Sequence, residues 1–444
     1  MTDMFSQEKF IREVYPLNRT LASDDTSKCL KIIRNHLKHS LKEYYDIFRV
    51  KSGTQCWTWT APQKYTVKQA WIKDAKGSVI CDFQDNALHL ASYSKSFRGR
   101  LSFEELSGHL HSNPSFPRGI PWKFYYYIDD WAFCLSHEQF LALDGKSTYE
   151  VCIEVEFEDD YLEIGELFIP GKSEDEFLIV TNVCHPFQVN DSITGVSAVL
   201  AAVNQLSLPL NKSLRILFLP ETIGSIAYFS QKPEIGKNII AGMFTEMLGN
   251  ENTLALQYSF QKNAYIDRLT ESVLEDYTDN FRTGDFRTIV GNDELVTNGP
   301  GLNIPSISLS RSEKRLECYE GYHTSLDTPD FLNYSLLDEA AHIIQKIIER
   351  FNEDYIPERQ FNGPVFLSGM GLWGIWEDRP LGKEEVDLIM YHLEGELSVV
   401  DIAVKLALPY TFVKKVIDAF YEKDLITKNQ NFSQYPWVKK SISI

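Results

Sequence analysis

The 444-residue chain predicts an α/β protein: a mixed sheet sandwiched by helices, with an all-β insertion near its N-terminal end and a C-terminal winged helix-turn-helix. Three observations lead there. The segments "EFLIVTNV", "LRILFLP" and "IIAGMFTE" are short apolar runs bounded by polar clusters, as buried parallel strands are, and helical patterns alternate with them. From about Gly53 to residue 140, "TQCWTWTAP", "QAWIKDAKGSVICDF" and "FYYYIDDWAFCL" are aromatic, β-branched and broken by turns, the texture of an all-β module. After "DYIPERQFNGP" come three short helical patterns, "KEEVDLIMYHL", "SVVDIAVKLAL" and "PYTFVKKVIDAFYEKDLI", the last two joined by a tight turn near Pro409.

Residues 5–45 read as two helices around the turn "YPLNRT", and "SKCLKIIRNHLKHSL" places Cys29, Ile32, Ile33, Leu37 and Leu41 on one face. Within the β module only "SFEELSGHLH" has a helical look. "YEVCIEVEFE" and "GELFIPG" read as antiparallel strands. Helices are expected at about 191–206, 223–231, 265–277 and 333–352, the last with Leu336, Leu337, Ala340, Ala341, Ile344, Ile347 and Ile348 on its apolar side. The tail "TKNQNFSQYPWVKKSISI" supplies two strands of a wing. The expected division is residues 1–48 with 142–355 as the α/β domain, 49–141 as the inserted domain, and 356–444 as the winged helix.

With 44 Lys and Arg against 62 Asp and Glu, the formal net charge is −18, a poor match for non-specific nucleic-acid or anionic-membrane binding. Residues 381–444 hold eight Lys, no Arg and nine acidic residues, whereas DNA-reading modules are normally basic. This module is therefore expected to contact protein or a second copy of the chain. The seven cysteines are scattered and never form a CxxC pair, which argues against a disulfide framework and a zinc ribbon and points to the cytoplasm. "MTDMFSQEKFIREVYPLNRT" has no basic start followed by an apolar core, so no signal peptide is expected. No apolar run approaches the ~18 residues that a membrane helix needs.

Ligands of open α/β sheets bind beyond the carboxyl ends of the strands. His185 and Asp191 follow "FLIVTNV", Glu221 follows "LRILFLP", Glu246 follows "IIAGMFT", and His323 stands in "GYHTSLDTPD" before the last long helix. Histidine nitrogen and carboxylate oxygen are the donors that zinc takes at about 2.0–2.2 Å, and one carboxylate can bridge two ions roughly 3.5–4 Å apart. A bound cation brings the pKa of a water to about 7, and a nearby carboxylate can take the proton. Pro220 fixes the backbone in front of Glu221. Taken singly, Asp191 reads as a helix N-cap, His323 as a turn residue and Glu221 as a solvated strand end. His185, held extended before Pro186, has the weakest ordinary explanation. Their joint placement on strand ends favours a site.

"CHPFQVNDSITGVSAVLAA", "LFLPETIGS", "FTEMLGN", "GNDELVTNGPGLNIPSISLS" and "YHTSLDTPD" occur in the order found in the zinc aminopeptidases with co-catalytic metals, which the chain resembles. It resembles more closely a bacterial aminopeptidase-like family with a nested jelly-roll-like β domain and a C-terminal winged helix. "YPLNRT", "SGTQCWTWTAP" and "DDWAFCLS" look like that family's other motifs. The resemblance implies a zinc-aminopeptidase-like sheet and a Zn2+ cofactor, one ion firmly held with a second as the alternative. It makes His185 and Glu246 terminal ligands, Asp191 the bridging ligand, His323 the ligand of the second position, Glu221 the general base and Asp293 a structural residue beside the site. Two departures stand out. The family usually has an Asp two residues after the histidine, where this chain has Phe187, and a Glu-Glu pair where Glu221 lies between Pro220 and Thr222. A lone Glu221 is either base or ligand, and one zinc with Glu221 as base is favoured.

Substrate contacts are expected from Asp129 or Asp130 toward an amine, from Arg19 and Arg311 toward a carboxylate, and from Tyr322 next to His323. Strand, turn and local ion-pair roles are the alternatives for these residues. The implied function is a zinc metallohydrolase, an exopeptidase acting on a peptide or small amide. The alternatives are a zinc amidohydrolase for an N-acyl sugar or secondary metabolite, and a catalytically degenerate scaffold that binds a ligand and a protein partner.

Overall fold

A computed structural model of the chain describes residues 5–377, 379, 382–435 and 438. Its centre is an eight-stranded mixed sheet. The strand order is Tyr45–Lys51, Tyr161–Ile169, Leu210–Leu219, Gly171–Asn182, Ile239–Thr245, Ser306–Ser310, Leu254–Gln257 and Phe281–Gly284. The four middle strands, from Leu210–Leu219 to Ser306–Ser310, run parallel to one another. The three apolar runs of the sequence are therefore neighbours, and their carboxyl ends open on one side.

Alternation along these strands feeds two separate cores. Phe177 and Ile179 join one apolar cluster with Ile216 and Phe218, and with residues of the helices Gln7–Val14, Asp24–His36, Ile193–Gln205 and Tyr334–Glu353. Leu178 and Val180 point the other way and join Leu217 and Leu219 in a second cluster. That cluster holds Ile226 of the helix Ile223–Gln231 and also Tyr65, Ile72, Val151 and Ile153 of the β-rich region. Helices thus cover one face, while the helices Ile223–Gln231 and Glu294–Thr297 share the other with the inserted β-rich region. The expected mixed sheet between helices is present, and the inserted β-rich region shares one of its faces.

The β-rich region is built on a four-stranded antiparallel sheet, ordered Val79–Asp82, Lys64–Lys73, Thr148–Glu158 and Phe97–Ser102. The strand Thr148–Glu158 pairs here and not in the central sheet, so the smaller sheet reaches beyond the boundary at residue 141 that the sequence suggests. The physical reason is its half-buried alternation after Ile153, which a two-sided central strand does not show.

The C-terminal region contains the helices Lys383–Met390, Val399–Leu406 and Tyr410–Tyr421. A capping box at Ser398 starts the second, and Ala407 in the left-handed conformation ends it. Strand Ile426–Asn429 pairs with Ile356–Arg359. Much of the expected second wing strand, residues 436, 437 and 439–444, lies outside the described residues. This region shares the first core, and a buried ion pair of 2.8 Å between Arg268 and Asp401 ties its second helix to the helix Tyr265–Tyr277. No helix among the described residues is long and apolar enough to cross a membrane.

Candidate metal centre

Three sequence-predicted residues converge beyond the strand ends. His323 Nε2 lies 3.0 Å from Asp191 Oδ2, and His185 Nδ1 lies 3.8 Å from Asp191 Oδ1. Glu221 approaches from the neighbouring strand, its Oε2 3.3 Å from His185 Nε2. Two overlapping groups among the described residues have donor atoms close enough to hold a metal ion: His185 with Asp191 and His323, and His185 with Cys184 and Glu221. Asp191 does not act as a helix cap. The N-cap of Ile193–Gln205 is Ser192, whose side chain caps nothing, while the Asp191 carboxylate faces the two histidines.

The electrostatics suit a cation. His185, Asp191 and Glu246 are all buried. Asp191 Oδ1 and Glu246 Oε1 are enclosed without a hydrogen-bond partner, which is costly for a carboxylate oxygen unless a positive charge meets it. Burial, reinforced by the charges of Asp191 and Glu221, pushes the Glu246 carboxyl well above the usual range. Burial disfavours the charged form of both His185 and Asp191, but each outweighs this for the other. His185 is shifted up, and Asp191, facing His185 and His323, is shifted down. Glu246 accepts a 2.6 Å hydrogen bond from Asn292 and stands on the next strand end, outside the two donor groups.

The backbone here is held tightly. His185, Phe187, Thr222, Met247 and His323 all have positive φ, between 52° and 74°. Non-glycine residues adopt this region sparingly, and only where their surroundings impose it. Asp293 is one such constraint. It accepts from the Asn182 side chain at 2.7 Å, from the Thr222 N–H and from the Ser225 hydroxyl, bracing the turn that presents Glu221, and burial raises its carboxyl to about 6. Asp327 does the same for the Asp191 loop, accepting the N–H groups of Asn190 and Asp191 and the Tyr319 hydroxyl.

Of the expected substrate residues, two are corrected. Arg19 is fully buried, and its guanidinium donates to the carbonyls of Val183, Cys184, His185 and Gln188 at 2.7–2.9 Å. It shapes the His185 loop from beneath and cannot reach a substrate. Phe187, in place of the usual Asp, turns to pack on Tyr15. Arg311 is likewise buried, donating to Asn252 and paired with Glu339. Asp129 is exposed and faces Lys95 at 3.4 Å, and Asp130 lies 3.6 Å from His109. Neither is among the donor groups around His185. The Tyr322 ring stacks on His323 at 3.8 Å. Burial first, then the Asp191 charge, keeps its phenol protonated far above the ordinary range.

Three residues escaped sequence reasoning. Cys184 accepts the Glu221 N–H at 3.2 Å and touches His185 Nδ1 at 3.4 Å. Trp122, from the β-rich region, lays its ring against both His185 and His323, with centroids 4.3 and 4.8 Å away. Asp327 lies inside the quoted "YHTSLDTPD" stretch, where a carboxylate before Thr-Pro was the available signal.

Comparison with known proteins identifies relatives of this fold. A family model described as "Domain of unknown function (DUF4910)" matches residues 8–354. A Clostridium acetobutylicum protein, provisionally named a polysaccharide biosynthesis protein with an aminopeptidase-like domain, is 32% identical over 428 residues, 94% of each chain. A crystal structure from the same organism, provisionally named a peptidase, is 30% identical and superposes with a TM-score of 0.83 over 95% of this chain and 96% of that one. The zinc aminopeptidase BSAP from Bacillus subtilis is 14% identical, with a TM-score of 0.57 over 78% of this chain and 94% of its own, and shares the fold. With nearly the whole length accounted for by such relatives, the chain belongs to the family described as Domain of unknown function (DUF4910) and has an aminopeptidase-like fold.

Proposed function

We propose that the chain is a zinc-dependent amide hydrolase, and within that class an exopeptidase acting at an N-terminal residue. The observation that carries this reading is the convergence of His185, Asp191 and His323, with an Asp191 carboxylate oxygen that accepts no hydrogen bond and Glu221 at the mouth. The donor set of imidazole nitrogen and carboxylate oxygen fits zinc. His185, Asp191 and His323 would hold the ion, with Glu246 as the fourth donor. A zinc ion supplies polarisation of a carbonyl and a water that loses its proton near neutral pH.

The protein's own groups do the rest. The Glu221 side chain is 32% exposed, so it reaches both the site and incoming substrate. As base it accepts the proton of the attacking water and returns it to the leaving amine. Tyr322, protonated and stacked on His323, offers an O–H to a substrate oxygen. Trp122 excludes water from one side of the two histidines.

Elemental analysis of zinc in wild type and His185→Ala tests the site, and equal metal in the two sinks the ligand assignment. Glu221→Gln is expected to keep its zinc and lose about a hundredfold or more of its activity. Loss of zinc in that variant would make Glu221 a ligand. A second reading, hydrolysis of a non-peptide amide such as an N-acyl sugar, draws on one observation. Asp129, the carboxylate expected to hold a peptide's amine, is engaged by Lys95. The name of the Clostridium relative points the same way. Release of product from N-acyl amides but from no aminoacyl anilide would select it.

A further inference from the structure

Beside Glu221 the site widens into a cavity of about 340 Å³. Five aromatic side chains of the β-rich region line it: Trp59, Trp122, Phe124, Tyr126 and Tyr127. Leu21 and Ile223 add to the apolar lining, and among the described residues that form it Glu221 carries the only charge. Phe124 and Tyr127 leave 46% and 56% of their surface in water, aromatic area that a bound group would cover.

The aromatic wall is fixed to the metal-centre loop. The Trp122 backbone N–H donates to the His323 carbonyl at 2.8 Å, the Ser325 N–H donates to the Ile120 carbonyl, and the Ile120 N–H donates to the Ser325 hydroxyl. The cavity is therefore pre-formed next to the atoms that would do the chemistry.

We infer that this cavity receives a large aromatic or branched apolar group of the substrate, and that the β-rich region thereby sets the specificity of the site. The inference rests on the hydrolase reading above. Its volume lies near the low end of the roughly 300–1,000 Å³ of small-ligand pockets, room for one bulky side chain or acyl group and not for a chain of sugars. Apart from the Tyr and Trp polar tips and the Thr222 hydroxyl, the lining has little to pair with a polyhydroxylated group, most of whose hydroxyls would lose water uncompensated. An acidic group would face Glu221 at close range.

Calorimetric titration of the full-length chain with L-phenylalaninol, L-alaninol and N-acetylglucosamine tests this, on zinc-loaded and chelator-treated protein. None of the three has a peptide bond to lose. Phenylalaninol is expected to bind about tenfold or more tightly than alaninol in both preparations, the gain from burying one phenyl ring. Phe124→Ala and Tyr127→Ala, at exposed positions, should each cut that preference at least threefold. Equal or undetectable binding of phenylalaninol, or tighter binding of N-acetylglucosamine, overturns the inference. Aromatic preference in a protein that hydrolyses nothing upholds the cavity assignment and removes the hydrolase. Hydrolysis without aromatic preference does the reverse.

Discussion

Arg215, on a strand of the central sheet, and Asp191, in the loop beyond its strand ends, are both buried charges, and their surroundings differ in kind. Arg215, on the strand Leu210–Leu219, meets Glu176 on one neighbouring strand and Glu166 on the other, and Tyr228 and Lys232 complete the group. Positive and negative charges alternate, and none of these side chains has a buried polar atom left without a partner. Around Asp191, three carboxylates and two histidines gather without a Lys or Arg ion pair among the described residues, and two carboxylate oxygens accept no hydrogen bond. A closed charge network holds a structure together, whereas an open one is a candidate place for a cation. Backbone conformation separates the two places as well. The positive-φ residues His185, Thr222 and His323 surround Asp191, and none of the residues of the Arg215 network has positive φ.

The comparison can be broken by mutation. Arg215→Met would leave Glu176 buried and uncompensated and should cost about 3–5 kcal/mol in urea denaturation, with zinc content per folded protein unchanged. The open network should respond to metal instead. Zinc at a hundredfold excess over its dissociation constant should add about 2.7 kcal/mol to the stability of chelator-treated wild type and nothing to that of His185→Ala. No stabilisation of wild type would mean that the orphaned oxygens are not waiting for this ion.

A third buried charge sharpens the contrast. Lys212 donates to the carbonyls of Phe351 and Asp354, and burial holds its amine down to about 8 against an ordinary 10.5. The folded state thus favours the neutral amine, so the Lys212 contribution to stability rises as pH climbs through about 8 and levels off near 10.5. Wild type measured against Lys212→Met should gain on the order of 1 kcal/mol per pH unit across that window. A difference independent of pH would show that carbonyl pairing alone decides the role of Lys212. The smallest effect is expected at Glu246→Gln. Metal-free stability should stay within about 1 kcal/mol, because the carboxyl is already driven toward its neutral form, while zinc affinity falls tenfold or more in competition with a chelator dye.

Much of the site was legible because strand order in a parallel sheet brings carboxyl ends together wherever apolar runs are neighbours. His185, Asp191, Glu221 and Glu246 follow from that rule and from residue chemistry. Arg19 did not. Its four carbonyl partners lie 164–169 residues away, and nothing in "YPLNRT" distinguishes a guanidinium that faces substrate from one that ties down a loop. Trp122 was equally silent, since it reaches the histidines only because the β-rich region folds back over the sheet.

By itself, then, the sequence determined which elements form and which chemistry their ends carry, because periodicity and donor type are local properties. Tertiary structure alone decided which charges find partners, that one face of the sheet is shared between helices and β-structure, and that aromatic residues of a distant segment wall the site. Those outcomes depend on contacts between residues far apart in the chain, and a linear pattern carries no record of distance.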